Sequence, residues 1–227
     1  MFYATLLRQD PTNKEVVKRC YEEEHRRNWA YAQVPFEVDR SAPMRFDPTW
    51  SRHWRAQSFI KELKAAGAKR ILDIGCAAVY PTIFAKEGFE VTGFDVSEEA
   101  LSQARGLAEK WVVASMVMTK QGYAQELPFK EGEFDSVVMG EVLEHVPDPD
   151  VCLAEAMRVV KPGGIVLAST PVGEHHFDPF HIASERGGWN DELIFRLLEP
   201  WKEKVVKVET IAEEGTDPSC YLIVVRK

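Results

Sequence analysis

Glu141, Glu144 and His145 stand at relative positions i, i+3 and i+4, so one helical turn puts two carboxylates and an imidazole on the same side. That set suits a general base, or a ligand group for a hard divalent cation. An imidazole titrates near 6.5 when unperturbed, so His145 needs only modest tuning to take a proton at neutral pH. Ser169-Thr170-Pro171 lies downstream and leads into His175, His176, Asp178 and His181, of which His181 ranks first as a second imidazole for the same site.

A second constellation sits at the ends of two apolar runs. Ile71-Leu72-Asp73-Ile74-Gly75-Cys76 passes from a short buried strand into a tight turn, and Val91-Thr92-Gly93-Phe94-Asp95 follows one helix later and ends in an acid. Parallel strands in open α/β sheets read as continuous apolar runs and bind ligands at their carboxyl ends. Glycine at 75 permits a sharp turn and a close approach of a ligand to the main chain. Asp95 can accept both hydroxyl protons of a ribose. A dinucleotide would need G-x-G-x-x-G to seat its pyrophosphate on a helix N-terminus, whereas this chain has Ala77, Ala78 and Val79 after Gly75. A nucleoside cofactor without phosphates fits better, and a nicotinamide dinucleotide is a distant alternative.

The ordered set of segments resembles the class I S-adenosylmethionine-dependent methyltransferases. Asp73-Ile74-Gly75-Cys76 is similar to that family's first motif, and Phe94-Asp95-Val96-Ser97 with Ala100-Leu101 to its ribose-binding strand and helix. Ala124-Gln125-Glu126-Leu127-Pro128-Phe129 resembles the segment beside the adenine. Phe134-Asp135-Ser136-Val137-Val138 resembles the fourth strand, and Arg158-Val159-Val160-Lys161-Pro162-Gly163-Gly164 before Ile165 the helix and turn into the fifth. The resemblance covers roughly residues 70 to 170.

It implies a Rossmann-like, doubly wound α/β fold: a mostly parallel seven-stranded sheet with an antiparallel last strand and N-terminal helical additions. It also implies S-adenosylmethionine as cofactor, with Asp73, Gly75, Cys76, Ala77, Asp95, Val96, Ala124, Gln125, Glu126, Leu127, Gly140 and Glu141 around it. Glu141-x-x-Glu144-His145 with a later histidine resembles two groups within the family, the O-methyltransferases of ubiquinone biosynthesis and the enzymes that methylate the terminal 2′-hydroxyl of small RNAs. From both, the resemblance carries over a divalent metal, magnesium or zinc, on Glu141, Glu144, His145 and His181. Catalysis is expected from His145, His181 and Glu144.

Three positions depart from the pattern. Glycines usually stand where Ala77 and Val79 stand, and an acid often stands at Tyr123. A β-branched residue resists positive φ, so Val79 is the position of greatest conflict. The turn is expected to be rebuilt and still bind the cofactor, with Tyr123 stacking on the adenine or bordering it. These departures motivate a competing reading, a non-catalytic relative that scaffolds a partner.

Composition bounds the rest. A chain of 227 residues with 45% hydrophobic and 28% charged residues is that of an ordinary globular protein able to bury one substantial core. The formal charge of −8 opposes a broad nucleic-acid footprint, and O-methylation of a small-molecule or carbohydrate-like acceptor is expected ahead of RNA. His25-Arg26-Arg27 and the group Arg52, His53, Arg55 are the candidate basic patches, with solvated helix faces as the cheaper explanation. Cys20, Cys76, Cys152 and Cys220 form no C-x-x-C pair, as expected of reduced thiols in a cytoplasmic protein. No secretory signal and no membrane span are expected.

An amphipathic helix is expected over about 13 to 33, with Val16, Val17, Cys20, Tyr21 and Trp29 as its apolar stripe. Pro35, Pro43 and Pro48 break the chain, and a second helix carries Trp50, Trp54, Phe59, Ile60 and Leu63 until Gly67. Residues 1–66 read as a helical cap and 67–227 as the cofactor-binding domain. Strands are expected near 69–74, 90–94, 115–120, 134–140 and 165–170, with helices at 80–87, 97–110 and 148–160 between them. A helix at 189–199 and strands at 204–211 and 220–225 complete the chain. The polar loop 171–188, with Phe177 and Phe180, has the length of a lid over an acceptor.

Overall fold

The computed structural model describes residues 10, 12–32, 48–173, 189–212 and 220–227, with the backbone alone at 27–32 and 48–54. Two helices, α1 (Lys14–Ala32) and α2 (Pro48–Ala65), precede a strictly alternating stretch. There β1 (Arg70–Ile74), α3 (Tyr80–Lys86), β2 (Glu90–Asp95), α4 (Glu98–Lys110) and β3 (Val117–Gln121) follow in turn. Then come β4 (Phe134–Gly140), α5 (Pro149–Val159) and β5 (Val160–Pro171), and last α6 (Asp191–Leu198), β6 (Val205–Ile211) and β7 (Cys220–Arg226).

The strands make one seven-stranded sheet in the order β3-β2-β1-β4-β5-β7-β6. β1 pairs in parallel with β2 and β4, whereas β7 runs antiparallel to β5 and β6. The order reverses at β1, so a crevice opens between the carboxyl ends of β1 and β4, where open α/β sheets take ligands. The expected fold class is the one observed.

Side-chain alternation sorts the sheet into two cores. Leu72, Ile74, Val137, Met139 and Ile223 face α5 and α6, packing on Leu153, Met157, Ile194 and Leu198. Ile71, Val91, Val138, Leu167 and Val224 face the other way, against Ala56, Phe59, Ile60 and Leu63 of α2 and Ile83 and Phe84 of α3. Of the residues expected to face inward on α2, Phe59, Ile60 and Leu63 do so; the side chains of Trp50 and Trp54 lie outside the described residues.

Local signals set the helix ends. Ser97 caps α4 by accepting the Ala100 N–H at 3.2 Å, with Glu98 and Glu99 in the favourable first turn. Asn190 caps α6 on the Leu193 N–H at 3.0 Å, so the helix starts two residues later than the apolar pattern suggests. Trp189, expected as its first residue, is instead buried and bridges to Val172.

The expected helix α1 is present, and its apolar stripe is buried only in part. Between Lys14 and Arg26 only Cys20 is fully buried, and Val16, Val17 and Tyr21 are half-buried. Trp29 lies among the residues whose side chains are not described. No helix among the described residues is long and apolar enough to cross a membrane.

Candidate active site

A cavity of about 990 Å³ opens at the carboxyl ends of β1, β2 and β4. Gly75, Cys76, Ala77 and Val79 form its floor, Asp95 and Val96 one side, and Gly122 to Glu126 another. Gly140, Glu141, Val142, Glu144 and His145 form the far end, while Lys14, Val17, Tyr21, Glu24 and His25 of α1 close it from above. Its size is at the upper end for small-molecule sites and leaves room for a nucleoside cofactor and a small acceptor together.

The floor is built by backbone geometry. Gly75 has φ +62°, and a Cβ placed there would lie 2.5 Å from Val142 Cγ2, so no other residue fits this turn unchanged. Its N–H and that of Cys76 donate to the Phe94 carbonyl at 2.8 and 3.3 Å, tying the turn to the end of β2. The conflict expected at Val79 does not arise. Val79 has φ −100° and ψ −41°, ordinary helical geometry, and serves as the N-cap position of α3. The left-handed residue is Ala77, at φ +46°, which an alanine tolerates better than a β-branched residue would. The Ala77 N–H donates to Asp95 Oδ2 at 3.1 Å, and the Ser97 N–H to Asp95 Oδ1 at 2.9 Å.

Asp95 is therefore locked in orientation by two backbone donors. A carboxylate offers about four lone-pair directions, so one per oxygen is left for the hydroxyls of a ribose. Asp73 and Leu127 do not reach the cavity wall. Leu127 is buried in the core, and Asp73 lies fully buried with neither carboxyl oxygen hydrogen-bonded among the described residues. Burial, and then the Asp95 charge, push its carboxyl well above the usual range. The glycine cradle with Asp95 on its rim fits a ribose-bearing cofactor without phosphates. Among the other expected cofactor contacts, Cys76, Ala77, Val96, Ala124, Gln125, Glu126, Gly140 and Glu141 all face the cavity.

The far end is built by side chains. The chain leaves β4 through Glu141 at φ +56°, an unfavourable conformation for a non-glycine residue, and then makes a short 3-10 turn over Leu143–His145. Several contacts hold Glu141 there. Its N–H donates to the Ser169 carbonyl at 3.0 Å, the Ser169 hydroxyl donates to Oε1 at 2.8 Å, and Arg55 Nη1 lies 3.5 Å from Oε2. Glu144 is buried, and among the described residues its carboxyl makes no hydrogen bond of good geometry, with the Thr170 hydroxyl and the Arg55 charge as the groups that ease its ionisation. Burial first and the Glu141 charge second push its carboxyl well above the ordinary range.

Arg55 was missed by sequence reasoning, which placed it on a solvated helix face. Its side chain is only 13% exposed. Burial opposes its charge, but the Glu141 carboxylate and Tyr80 outweigh that and hold it cationic. Its signal is visible only in retrospect. It lies four residues before Phe59 and one before Ala56, both buried, which sets it at the edge of the inward face of α2. His25 is also drawn into the wall, with its Nδ1 2.7 Å from the Tyr21 carbonyl, whereas Arg26 stays exposed. Tyr123 borders the cavity as expected, but its hydroxyl donates to the Lys14 carbonyl at 2.9 Å.

Among the described residues no group of three or more His, Cys, Asp or Glu side chains is placed to hold a metal ion. Glu141 is engaged with Arg55 and Ser169, and His181, the fourth expected ligand, lies outside the described residues. His175, His176, Asp178, His181, Phe177, Phe180, Arg52 and His53 lie outside the described residues. All four cysteines are buried and none is in a disulfide, and burial pushes the Cys152 and Cys220 thiols up to about 12, so neither is a ready nucleophile.

Residues 72–168 match the model of the methyltransferase domain family. The ubiquinone biosynthesis O-methyltransferase of Pseudomonas aeruginosa is 31% identical over 194 residues, covering 68% of this chain and 82% of that protein. Its counterpart from Pseudomonas putida is 30% identical over 192 residues, at 67% and 82% coverage. Among solved structures, the [4+2]-cyclase SpnF superposes with a TM-score of 0.72 at 17% identity, covering 94% of this chain and 96% of that one. Magnesium protoporphyrin IX methyltransferase from Synechocystis, solved with bound S-adenosylhomocysteine, superposes with a TM-score of 0.70 at 14% identity, covering 95% and 100%. At such identities the structural likeness speaks for the fold, whereas the sequence relatives speak for the family. The chain belongs to the class I S-adenosylmethionine-dependent methyltransferases and is an enzyme of that class. The scaffold alternative gives way to that membership, and its main motive, an obstructing Val79, is absent.

Proposed function

We propose that the chain methylates a hydroxyl oxygen of a small-molecule acceptor, with His145 as the base that takes the hydroxyl proton. The observation that carries this reading is that Glu144 and His145 wall the same cavity as Gly75 and Asp95, at the end opposite the ribose-facing acid. Bound S-adenosylmethionine supplies a methyl group on a cationic sulfur together with its own leaving group. What remains for the protein is to align the acceptor, exclude water and receive one proton.

In this reading Asp95 holds the ribose, Gly75 to Ala77 pass under the cofactor, and Ala124, Gln125 and Glu126 border the adenine. Glu141, held in place by Ser169 and Arg55, faces the methyl-bearing side. Glu144 in its neutral form can donate a hydrogen bond to the acceptor oxygen, while the imidazole of His145 accepts the proton. Residues 1–66 act as the cap and 67–227 as the cofactor-binding domain, joined through the core that α2 shares with the sheet. The names of the curated relatives support oxygen as the accepting atom, and neither they nor the charge of −8 favour RNA.

Radiolabelled methyl transfer from S-adenosylmethionine to a panel of phenols, sugars and amines tests the reading. Label on a hydroxyl, with turnover at least about 100-fold lower in His145→Gln, is the expected result. Transfer to amines alone, or equal turnover in the variant, would overturn it.

A further inference from the structure

We infer that Tyr21 is a positioning residue for His145, carried onto it by α1 and held there by a clasp of Lys14, Tyr123 and Glu126. The inference rests on the reading of His145 as base and names what orients that imidazole.

Lys14, Val17, Tyr21, Glu24 and His25 recur at helical spacing, and all five face the cavity. Tyr21 meets the His145 ring edge to face, with centroids 5.9 Å apart and planes at 90°, inside the range of favourable aromatic pairs. The Tyr21 hydroxyl also lies 3.5 Å from the His145 carbonyl, a long contact that adds little by itself. His145 thus takes one wall of its surroundings from a residue 124 positions away in sequence.

Cys20 is buried beneath α1 and Val16, Val17 and Tyr21 are half-buried beside it, and several polar ties add to that packing. At the adenine end the Tyr123 hydroxyl donates to the Lys14 carbonyl at 2.9 Å, and the Lys14 ammonium lies 2.9 Å from Glu126 Oε2 and 5.0 Å from the Tyr123 ring centre. Midway along the helix, Gln103 Nε2 donates to the His25 carbonyl at 3.2 Å. Tyr123 stands where this family commonly carries an acid beside the adenine, and here its hydroxyl is committed to α1. The segment that borders the adenine therefore sets the position of the helix that orients the imidazole. One helix links the two ends of the cavity.

The test reads the His145 ring-proton resonances at fixed pH in the full-length protein, assigned by their loss in His145→Gln. Calorimetry with S-adenosylhomocysteine runs alongside. Tyr21→Leu is expected to move those resonances, and Tyr21→Phe, which keeps the ring, to leave them near the native positions. Tyr123→Phe removes only the clasp hydroxyl at the surface. It is expected to move the same resonances in the same direction by less, and to weaken S-adenosylhomocysteine binding roughly two- to tenfold. Native His145 resonances in folded Tyr21→Leu, or native resonances and affinity in Tyr123→Phe, would overturn the inference. Should Tyr21→Leu fail to fold, Tyr123→Phe decides alone. If His145→Gln left turnover intact, the base assignment would fall, yet the shifts in Tyr123→Phe, which keeps the Tyr21 ring and so is free of the ring-current change that Tyr21→Leu brings, would still report whether α1 positions the imidazole.

Discussion

The two ends of the cavity are made in different ways. At the cofactor end the geometry is local: Gly75, Ala77 and Asp95 lie within a span of about twenty residues, and the contacts among them are main-chain N–H groups to a carbonyl and a carboxylate. At the other end, Glu141 is held by Arg55 from α2 and Ser169 from β5, and His145 meets Tyr21 from α1, segments far apart in the chain. A backbone-built site depends on a few φ values and tolerates little change. A side-chain-built site can be re-furnished with different residues, and acceptor choice within one fold can vary at that end while the cofactor end stays the same.

The largest effect expected from this contrast is at Gly75. Gly75→Ala combines a left-handed φ with a Cβ 2.5 Å from Val142, and should cost about 3 kcal/mol of stability in denaturant melts. A loss below about 1 kcal/mol would show that the floor can yield, as an end made of side chains would. Asp95→Ala follows, weakening S-adenosylhomocysteine binding by about 1–3 kcal/mol in calorimetry, since it removes the ribose acceptor and frees the Ala77 turn. Unchanged affinity would remove the ribose assignment.

On the acceptor side, Arg55→Met leaves Glu141 with Ser169 alone. The pair is only partly buried and its distance is long, so the expected cost is about 1–2 kcal/mol, below the usual range for a fully buried pair. Cofactor affinity should change less than stability does. If affinity fell more, the two ends would not be separable in the way described.

Glu144→Gln sharpens the contrast through pH. A carboxyl whose folded pKa is raised binds more protons folded than unfolded, so its contribution is fully present below the ordinary carboxylate range and is lost as pH rises through the folded value. Stability of the cofactor-free protein should therefore fall with rising pH from that range upward, and fall less steeply in Glu144→Gln. Identical slopes in urea melts across the same pH series would show that Glu144 is not held neutral.

The smallest effect is at Ala77, where glycine would relieve the left-handed strain but add chain entropy to the unfolded state. A net gain of about 0.5 kcal/mol is expected for Ala77→Gly, read as a higher melting temperature. A loss would mean that the turn is not strained at Ala77.

Legibility in the sequence follows the same division. The apolar runs at 71–74, 91–94 and 134–139 and the helices between them were readable because burial on both faces leaves a continuous apolar signature. Asp95 and Gly75 were readable because strand ends and tight turns constrain residue type locally. The conflict at Val79 was misplaced by two residues, since the pattern of missing glycines does not say which position takes positive φ. That choice was made by the entry of α3, which begins at Tyr80 and draws Val79 into helical geometry.

From the sequence alone came the fold class, the cofactor and most of the residues that line the cavity at the ends of β1 and β2, because these follow from periodicity and from short-range steric rules. The tertiary structure alone decided that Arg55 turns inward to Glu141, that Glu144 is buried beside it, and that Tyr21 stands against His145. Those are relations between segments brought together only by packing, and neither charge pattern nor spacing along the chain records which distant side chains will share one low-dielectric space.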